Sequence, residues 1–270
     1  MGKNPAWSWY IVWYFFVGGM AAGAYFMAAV VDFFGREEDR PVAKVGYGIA
    51  FPLVLICPIL LTVDLGMPGR TLNMFSAFKW GSPMSVGSWA LLGFGLFALA
   101  SLILVLREGP DLRGIRRALA VPGGILGFFI ASYTGVLIGA TNRPIWAGNN
   151  WIGPLFLVSG VSTGVAAIAL LLARSRGSRQ GLRRVDLAAI VIEAVLLVIF
   201  LWSLGPAAAA LVSGPFAPLF WGGLVLAGLA VPFVLQLFRV GAGGIEVVTG
   251  LLVLIGGFTL RYLVLMSGQT

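Results

Sequence analysis

The sequence predicts an all-α integral membrane protein with eight transmembrane helices. Three observations predict it. The chain is 59% hydrophobic and 10% charged over 270 residues, with a mean hydropathy of +0.98. A soluble domain of this length needs far more charge to cover its surface. Eight apolar runs are each long enough to cross hydrocarbon as a helix, at about 20 residues per crossing. Most Lys and Arg fall between alternate runs, as the positive-inside rule requires.

The runs lie near 8–31, 43–65, 86–106, 118–140, 151–173, 185–204, 216–238 and 243–266, in a single polytopic domain covering 1–270. The first is too long for a cleaved signal sequence, has only Lys3 before it, and is followed by seven more. Loops after spans 1, 3, 5 and 7 hold Arg36, Arg40, Lys44, Arg107, Arg113, Arg116, Arg117, Arg174, Arg176, Arg179, Arg183, Arg184 and Arg239. The other side holds Lys3, Arg70, Lys79 and Arg143, and Arg261 falls inside span 8. The bias puts the odd loops in the cytoplasm and both termini outside. The net charge of +8 is therefore topological, and no nucleic-acid partner is expected.

Cysteine and histidine usage narrows the chemistry. One cysteine, Cys57, sits inside an apolar run, and there is no histidine. A lone thiolate makes no intrachain disulfide and holds no iron–sulfur cluster. Without histidine there is no bis-histidine haem, no histidine-ligated zinc or copper, and no histidine proton relay. The protein is expected to carry no haem or metal of its own.

The loops differ by side. "REGPDLRGIRR" and "RSRGSRQGLRR" read as short solvated connectors. On the outer side, 66–85 interleaves Met74, Phe75, Phe78 and Trp80 with polar groups, and "ATNRPIWAGNNW" carries one charge and two tryptophans. An aromatic belt explains part of this; a docking surface for a partner is the second reading. In "VGGMAAGA", Gly19 and Gly23 mark close helix packing.

Ionisable groups inside spans are costly, and so are functional or paired. Asp64 of span 2, Glu193 of span 6 and Arg261 of span 8 qualify. Asp32 and Glu246 lie near span ends and are expected to reach water. Spans 2, 4, 6 and 8 run outward. Asp64 is then at an outer end, and Arg261 lies about five residues, or roughly 8 Å, below one. Tyr133 of span 4, Tyr10, Trp13 and Tyr14 of span 1, and Arg143 of the span 4–5 loop fall near the same level. Tyr10 and Tyr14 are four apart and share a helix face. Glu193 is expected to lie deeper. A phenol or carboxylate at the outer level can hydrogen-bond a quinone carbonyl and pass protons. Equally, Asp64 can cap its helix or pair with Arg70, and Arg261 can simply neutralise a buried acid.

Four stretches carry a resemblance: "WYFFVGGMAAGAYF", "DLGMPGRTLNMF…GSPMSVGSW", "SYTGVLIG…NRPIW" and "LRYLVLMSGQ". Together they resemble the NrfD/PsrC family from span 1 to span 8. The resemblance implies two four-helix bundles and a haem-free, quinone-reactive membrane subunit of a respiratory oxidoreductase. An iron–sulfur subunit would dock on outer loops 66–85 and 141–151, and a molybdopterin, multihaem or hydrogenase-type subunit would lie beyond it. The cofactor implied is menaquinone or ubiquinone. Residue by residue, Asp64 matches the family's acid at the end of the second span. Tyr133 matches the tyrosine at the quinone head group, Arg143 the loop arginine, and Arg261 the last-span arginine. Glu193 stands where many members carry an acid. Some members have a histidine and an asparagine in the first span; a gapless pairing puts Tyr14 and Ile11 there. A secondary transporter using the intramembrane acids and a passive anchor are the other readings. The charge count predicts that a tag on either terminus is cleaved by protease added to intact cells; a protected tag contradicts it.

Overall fold

Ser8 starts the first helix. Its hydroxyl accepts from Tyr10 N at 3.2 Å and donates to Asp64, so one side chain caps α1 and ties it to the far end of α2. The computed structural model describes residues 8–65, 78–107, 112–139, 141, 146–173, 179–238 and 244–269. All secondary structure among them is helical. The long elements are α1 (Trp9–Phe34), α2 (Arg40–Leu65), α3 (Pro83–Leu106), α4 (Leu112–Gly139), α5 (Ile152–Leu171), α6 (Arg179–Leu204), α7 (Leu219–Leu237) and α8 (Gly244–Ser267). A helix of about 20 apolar residues satisfies every backbone group internally, which hydrocarbon demands. Each of the eight is long and apolar enough to cross a membrane.

Two helices are interrupted in type. Pro52 and Pro58 lie inside α2, and each removes one backbone donor. Thr62 Oγ1 takes up the Pro58 carbonyl at 2.7 Å. The segment Leu219–Ala230 of α7 is π-helical and becomes α-helical at Val231. Its Gly228 meets Gly256 of α8 so closely that a Cβ on either would overlap the other's Cα.

The core is built around α1. Its central turns are almost wholly enclosed, from Ile11 to Ala29. It packs on α2, α4, α5 and α8, so α1 belongs to both halves of the molecule. Glycines set the spacing. A Cβ at Gly23 would overlap the Gly160 carbonyl oxygen, and one at Gly164 would overlap Ala24 N. The α1 and α5 backbones therefore touch. Gly135 of α4 meets Gly153 of α5 in the same manner.

The ends are recognisable by their contacts. Asp64, Pro83, Gly139, Trp151, Leu204 and Ser267 lie at the end that carries Ser8, here the terminal end; Phe34, Leu112, Leu171, Arg179 and Leu237 lie at the opposite, loop end. At the loop end, the part of the expected solvated connector from Leu112 to Arg117 is helical. Helix α4 begins at Leu112, and its first turns grip the end of α1. Arg116 Nε contacts both oxygens of Asp32 at 3.0 and 3.1 Å, and its Nη2 reaches Oδ1 at 2.5 Å. Tyr47 donates to Asp32 Oδ2 at 2.8 Å. Arg117 caps the Asp32 carbonyl at 2.6 Å, and Arg113 reaches the Gly35 carbonyl at 2.8 Å. Asp32 is only 2% exposed. The expectation that it reaches water is corrected: a buried carboxylate needs a cation beside it, and the α4 arginine supplies one.

Two outcomes are expected in thermal unfolding of the detergent-solubilised protein. Gly23→Ala forces α1 off α5 and costs about 1–3 kcal/mol, whereas Gly48→Ala, with nothing within 4 Å of the added carbon, changes little. Arg116→Met strands a buried charge and costs about 3–5 kcal/mol; an unaltered unfolding midpoint would contradict the pairing.

Candidate quinone site and buried polar network

Tyr14 and Tyr133 come together on one side of α1. Tyr14 is 3% exposed and Tyr133 7%. Tyr14 lies within electrostatic reach of Tyr133 and Cys57. One turn further along α1, Gly18 sits 3.6 Å, as a built Cβ, from Cys57 Sγ. The Tyr133 ring stacks on Phe129 at 5.4 Å with a 22° interplanar angle, and its hydroxyl donates to the Pro83 carbonyl. It occupies space that Gly87 leaves open: a Cβ there would lie 2.5 Å from the ring. Two buried phenols thus lie among apolar side chains where α1, α2, α3 and α4 meet.

Asp64 lies two helical turns beyond Cys57 on α2, or about 10 Å along the axis. It is half-buried and hydrogen-bonded to Ser8. Such a carboxylate borders both water and the apolar interior. Tyr10 does not join Tyr14: it is 47% exposed, among Trp9 at 54% and Trp13 at 46%. The four-residue spacing is right, but Tyr10 in the first turn is left uncovered while Ile11 and Val12 beside it are buried. Arg143 and most of the loops expected to dock a partner lie outside the described residues. At the terminal end, Trp146 is fully buried and donates to the Val264 carbonyl at 2.8 Å. Beside it, Gly148, Asn149, Asn150, Trp151 and Ser203 line an open cleft of about 220 Å³.

Arg261 occupies the other side of α1. It is fully buried and spends its donors on four acceptors: the carbonyls of Phe15 at 3.0 Å, Gly257 at 2.7 Å and Phe156 at 3.2 Å, and Ser159 Oγ at 3.1 Å. The Phe156 and Phe16 rings lie 5.4 and 5.8 Å from the guanidinium carbon, within cation–π range. Gly19 leaves room for it, since a Cβ there would fall 2.6 Å from Nη2. Gly19 is thus more than a packing residue.

Ser159 links Arg261 to Glu193. Glu193 is 4% exposed, hydrogen-bonds with Ser159 and interacts electrostatically with Arg261. Depth along the sequence sets Glu193 apart from Arg261. The two meet because side chains on a helix lean toward its N-terminus, which carries the guanidinium down to the level of Gly257. The outer cluster expected at one level is therefore two clusters. Tyr14 and Tyr133 form one; Arg261, Ser159 and Glu193 form the other, with α1 between them; Asp64 lies apart, toward the terminal end, on Ser8.

Sequence reasoning missed the serines. Ser159 and Ser162 lie in an apolar run where hydroxyls carry no pattern signal. It also missed Asp186, which accepts from Ser162 Oγ at 2.9 Å and from Gln236 Nε2 at 2.6 Å. A signal existed: Asp186 lies seven residues, two turns, before Glu193 on one face of α6. The adjoining Arg183 and Arg184 masked it.

Comparison with known proteins agrees with this architecture. A family model described as "Polysulphide reductase, NrfD" matches residues 1–270. The C component of polysulfide reductase from Wolinella succinogenes is 31% identical, over 99% of this chain and 96% of its own length. Protein NrfD of Escherichia coli is 25% identical, over 99% and 96%. A putative dimethyl sulfoxide reductase membrane subunit of Halobacterium salinarum is 23% identical over 45% of this chain and 28% of its own. With the family model spanning the whole sequence and eight membrane-length helices beneath it, this multi-pass membrane protein belongs to the NrfD family.

Proposed function

We propose that this chain is the quinone-reactive membrane subunit of a respiratory oxidoreductase complex. The observation that carries the reading is the burial of two phenols, Tyr14 and Tyr133, within electrostatic reach of each other; Asp64 stands half-buried at the terminal end of α2. Relatives named as a polysulfide reductase component and a dimethyl sulfoxide reductase membrane subunit support a partnership with catalytic subunits.

The residues present fit a quinone head group. Such a ring needs a slot with apolar walls and a donor for each carbonyl. Phe129 and the two phenols would supply the wall and the donors once the Tyr133 hydroxyl turns from the Pro83 carbonyl, to which it donates in this structure. A bound quinone or quinol would supply two-electron, two-proton carbonyl–hydroxyl chemistry. Tyr14 and Tyr133 would hold and orient the head group by hydrogen bonds. Asp64 would exchange protons with water at the terminal end, a carboxylate at an aqueous boundary being suited to that work. Glu193, linked through Ser159 to Arg261, would serve an inward branch. Electrons would pass to an iron–sulfur partner covering the terminal end, where loops 66–85 and 141–151 emerge. Both termini would face outward in a prokaryotic inner membrane.

Two measurements test this. In the intact complex, Asp64→Asn and Tyr133→Phe are expected to lower quinone turnover by about tenfold or more with assembly unchanged; normal turnover in both removes the site assignment. Mild-detergent purification is expected to bring along an iron–sulfur protein whose clusters a quinol analogue reduces or a quinone reoxidises. A protein that purifies alone and moves ions in liposomes would instead be a transporter.

A further inference from the structure

The polar groups of α5, α6 and α7 form a site outside the two clusters above. At its centre is Asp186, 6% exposed. Its two hydrogen-bond donors, Ser162 and Gln236, are both neutral. Among the described residues it forms no ion pair, in contrast to Asp32 with Arg116. Arg183, one turn nearer the loop end, directs Nη1 to the Gln236 backbone carbonyl at 3.2 Å. The Gln236 side chain is 9% exposed, and its Oε1 is the one buried side-chain polar atom without a partner among the described residues.

Two deficits therefore lie side by side. An ionised Asp186 would be buried with no cation paired to it among the described residues, which is costly. A buried amide oxygen has no donor, which is also costly. One added proton removes both. It neutralises Asp186, and its hydroxyl becomes the donor that Gln236 Oε1 lacks. A carboxylic acid and a primary amide can close a ring of two hydrogen bonds, N–H to acid oxygen and O–H to amide oxygen. The Nε2–Oδ2 contact of 2.6 Å is already half of that ring.

We propose that Asp186 and Gln236 form an acid–amide pair that binds one proton at neutral pH and exchanges it with Glu193. Helices α5 and α6 run antiparallel, so Ser162 to Asp186 and Ser159 to Glu193 are successive rungs between them. In the exchange, the Asp186 O–H bond breaks and a Glu193 O–H bond forms. One carboxylate becomes acid as the other becomes carboxylate, and nothing is oxidised or reduced. Among the described residues the charged and titratable groups near the pair are few. Glu193 lies on α6 and Arg183 in the first turns of that helix; α5 contributes hydroxyls, α7 Gln236 itself, and α8, which packs on α7, carries Glu246 in its first turn. Glu193 is in turn balanced by Arg261. The exchange rests on the proton-handling reading above; the proton on the pair does not.

The test is infrared difference spectroscopy of the complex purified in mild detergent, titrated through neutral pH in H₂O and D₂O. The expected result is a protonated-carboxyl carbonyl band at pH 7 that is absent in Asp186→Asn, shifted in Gln236→Leu and retained in Glu193→Gln. A spectrum unchanged by Asp186→Asn overturns the proposal, because Asp186 is then ionised and a water serves Gln236. Should Asp186→Asn fail to assemble, the Gln236→Leu band decides: no shift overturns the pairing. Quinone turnover separates the two claims. Turnover about tenfold lower in Asp186→Asn and restored in Asp186→Glu supports the exchange. A wild-type complex with the band but no quinone turnover refutes the functional reading and leaves the pair standing.

Discussion

The contact between the α1 and α5 backbones governs this structure. At Gly23, Gly160 and Gly164 no side chain separates the two helices. Without a hydrophobic force between helices in lipid, such small-residue seams hold bundles together by close packing. Bringing α5 this near sets Ser159 and the Phe156 carbonyl where Arg261 can use them together with the Phe15 carbonyl. It also fixes the rotation of α1, so that Tyr14 turns the other way, toward Cys57 and Tyr133. Both polar clusters depend on glycines that touch no ligand.

Charge inside the bundle is handled in three ways. Asp32 meets an arginine directly and takes a phenol on its second oxygen. Arg261 is surrounded by carbonyls and ring faces, with its acid held one serine away. Asp186 has neutral donors, Ser162 and Gln236, among the described residues. The first is a fastening between α1 and α4. The other two leave a carboxyl whose proton is not excluded by a neighbouring cation in direct contact, the condition under which a buried acid can change state.

Much of this is legible in the sequence. The eight spans follow from hydrocarbon thickness, and Asp64, Glu193 and Arg261 stand out as polar breaks in apolar runs. The failures share a cause: hydropathy reads depth along one helix and says nothing of what lies across from it. It places Asp32 at water because its run ends nearby, yet Arg116 closes over it from a stretch that reads as a linker. Asp186 is hidden by the arginines beside it. Tyr10 and Tyr14 match in period, but enclosure by neighbours separates them. Glycines that suggest packing alone make room for Arg261 at Gly19 and for Tyr133 at Gly87.

Tyr14 and Phe15 are consecutive residues, and that adjacency has an electrical meaning. The phenol cluster faces one side of α1, while the Phe15 carbonyl binds Arg261 on the other. The two sites are thus about one helix diameter apart, roughly 10 Å. Across that distance in a medium of intermediate polarisability, a unit charge is felt at about 1–2 kcal/mol. A charge gained or lost beside Tyr14 is thus felt by the Arg261 guanidinium across the helix. The helix acts as a dielectric partition, transparent to field.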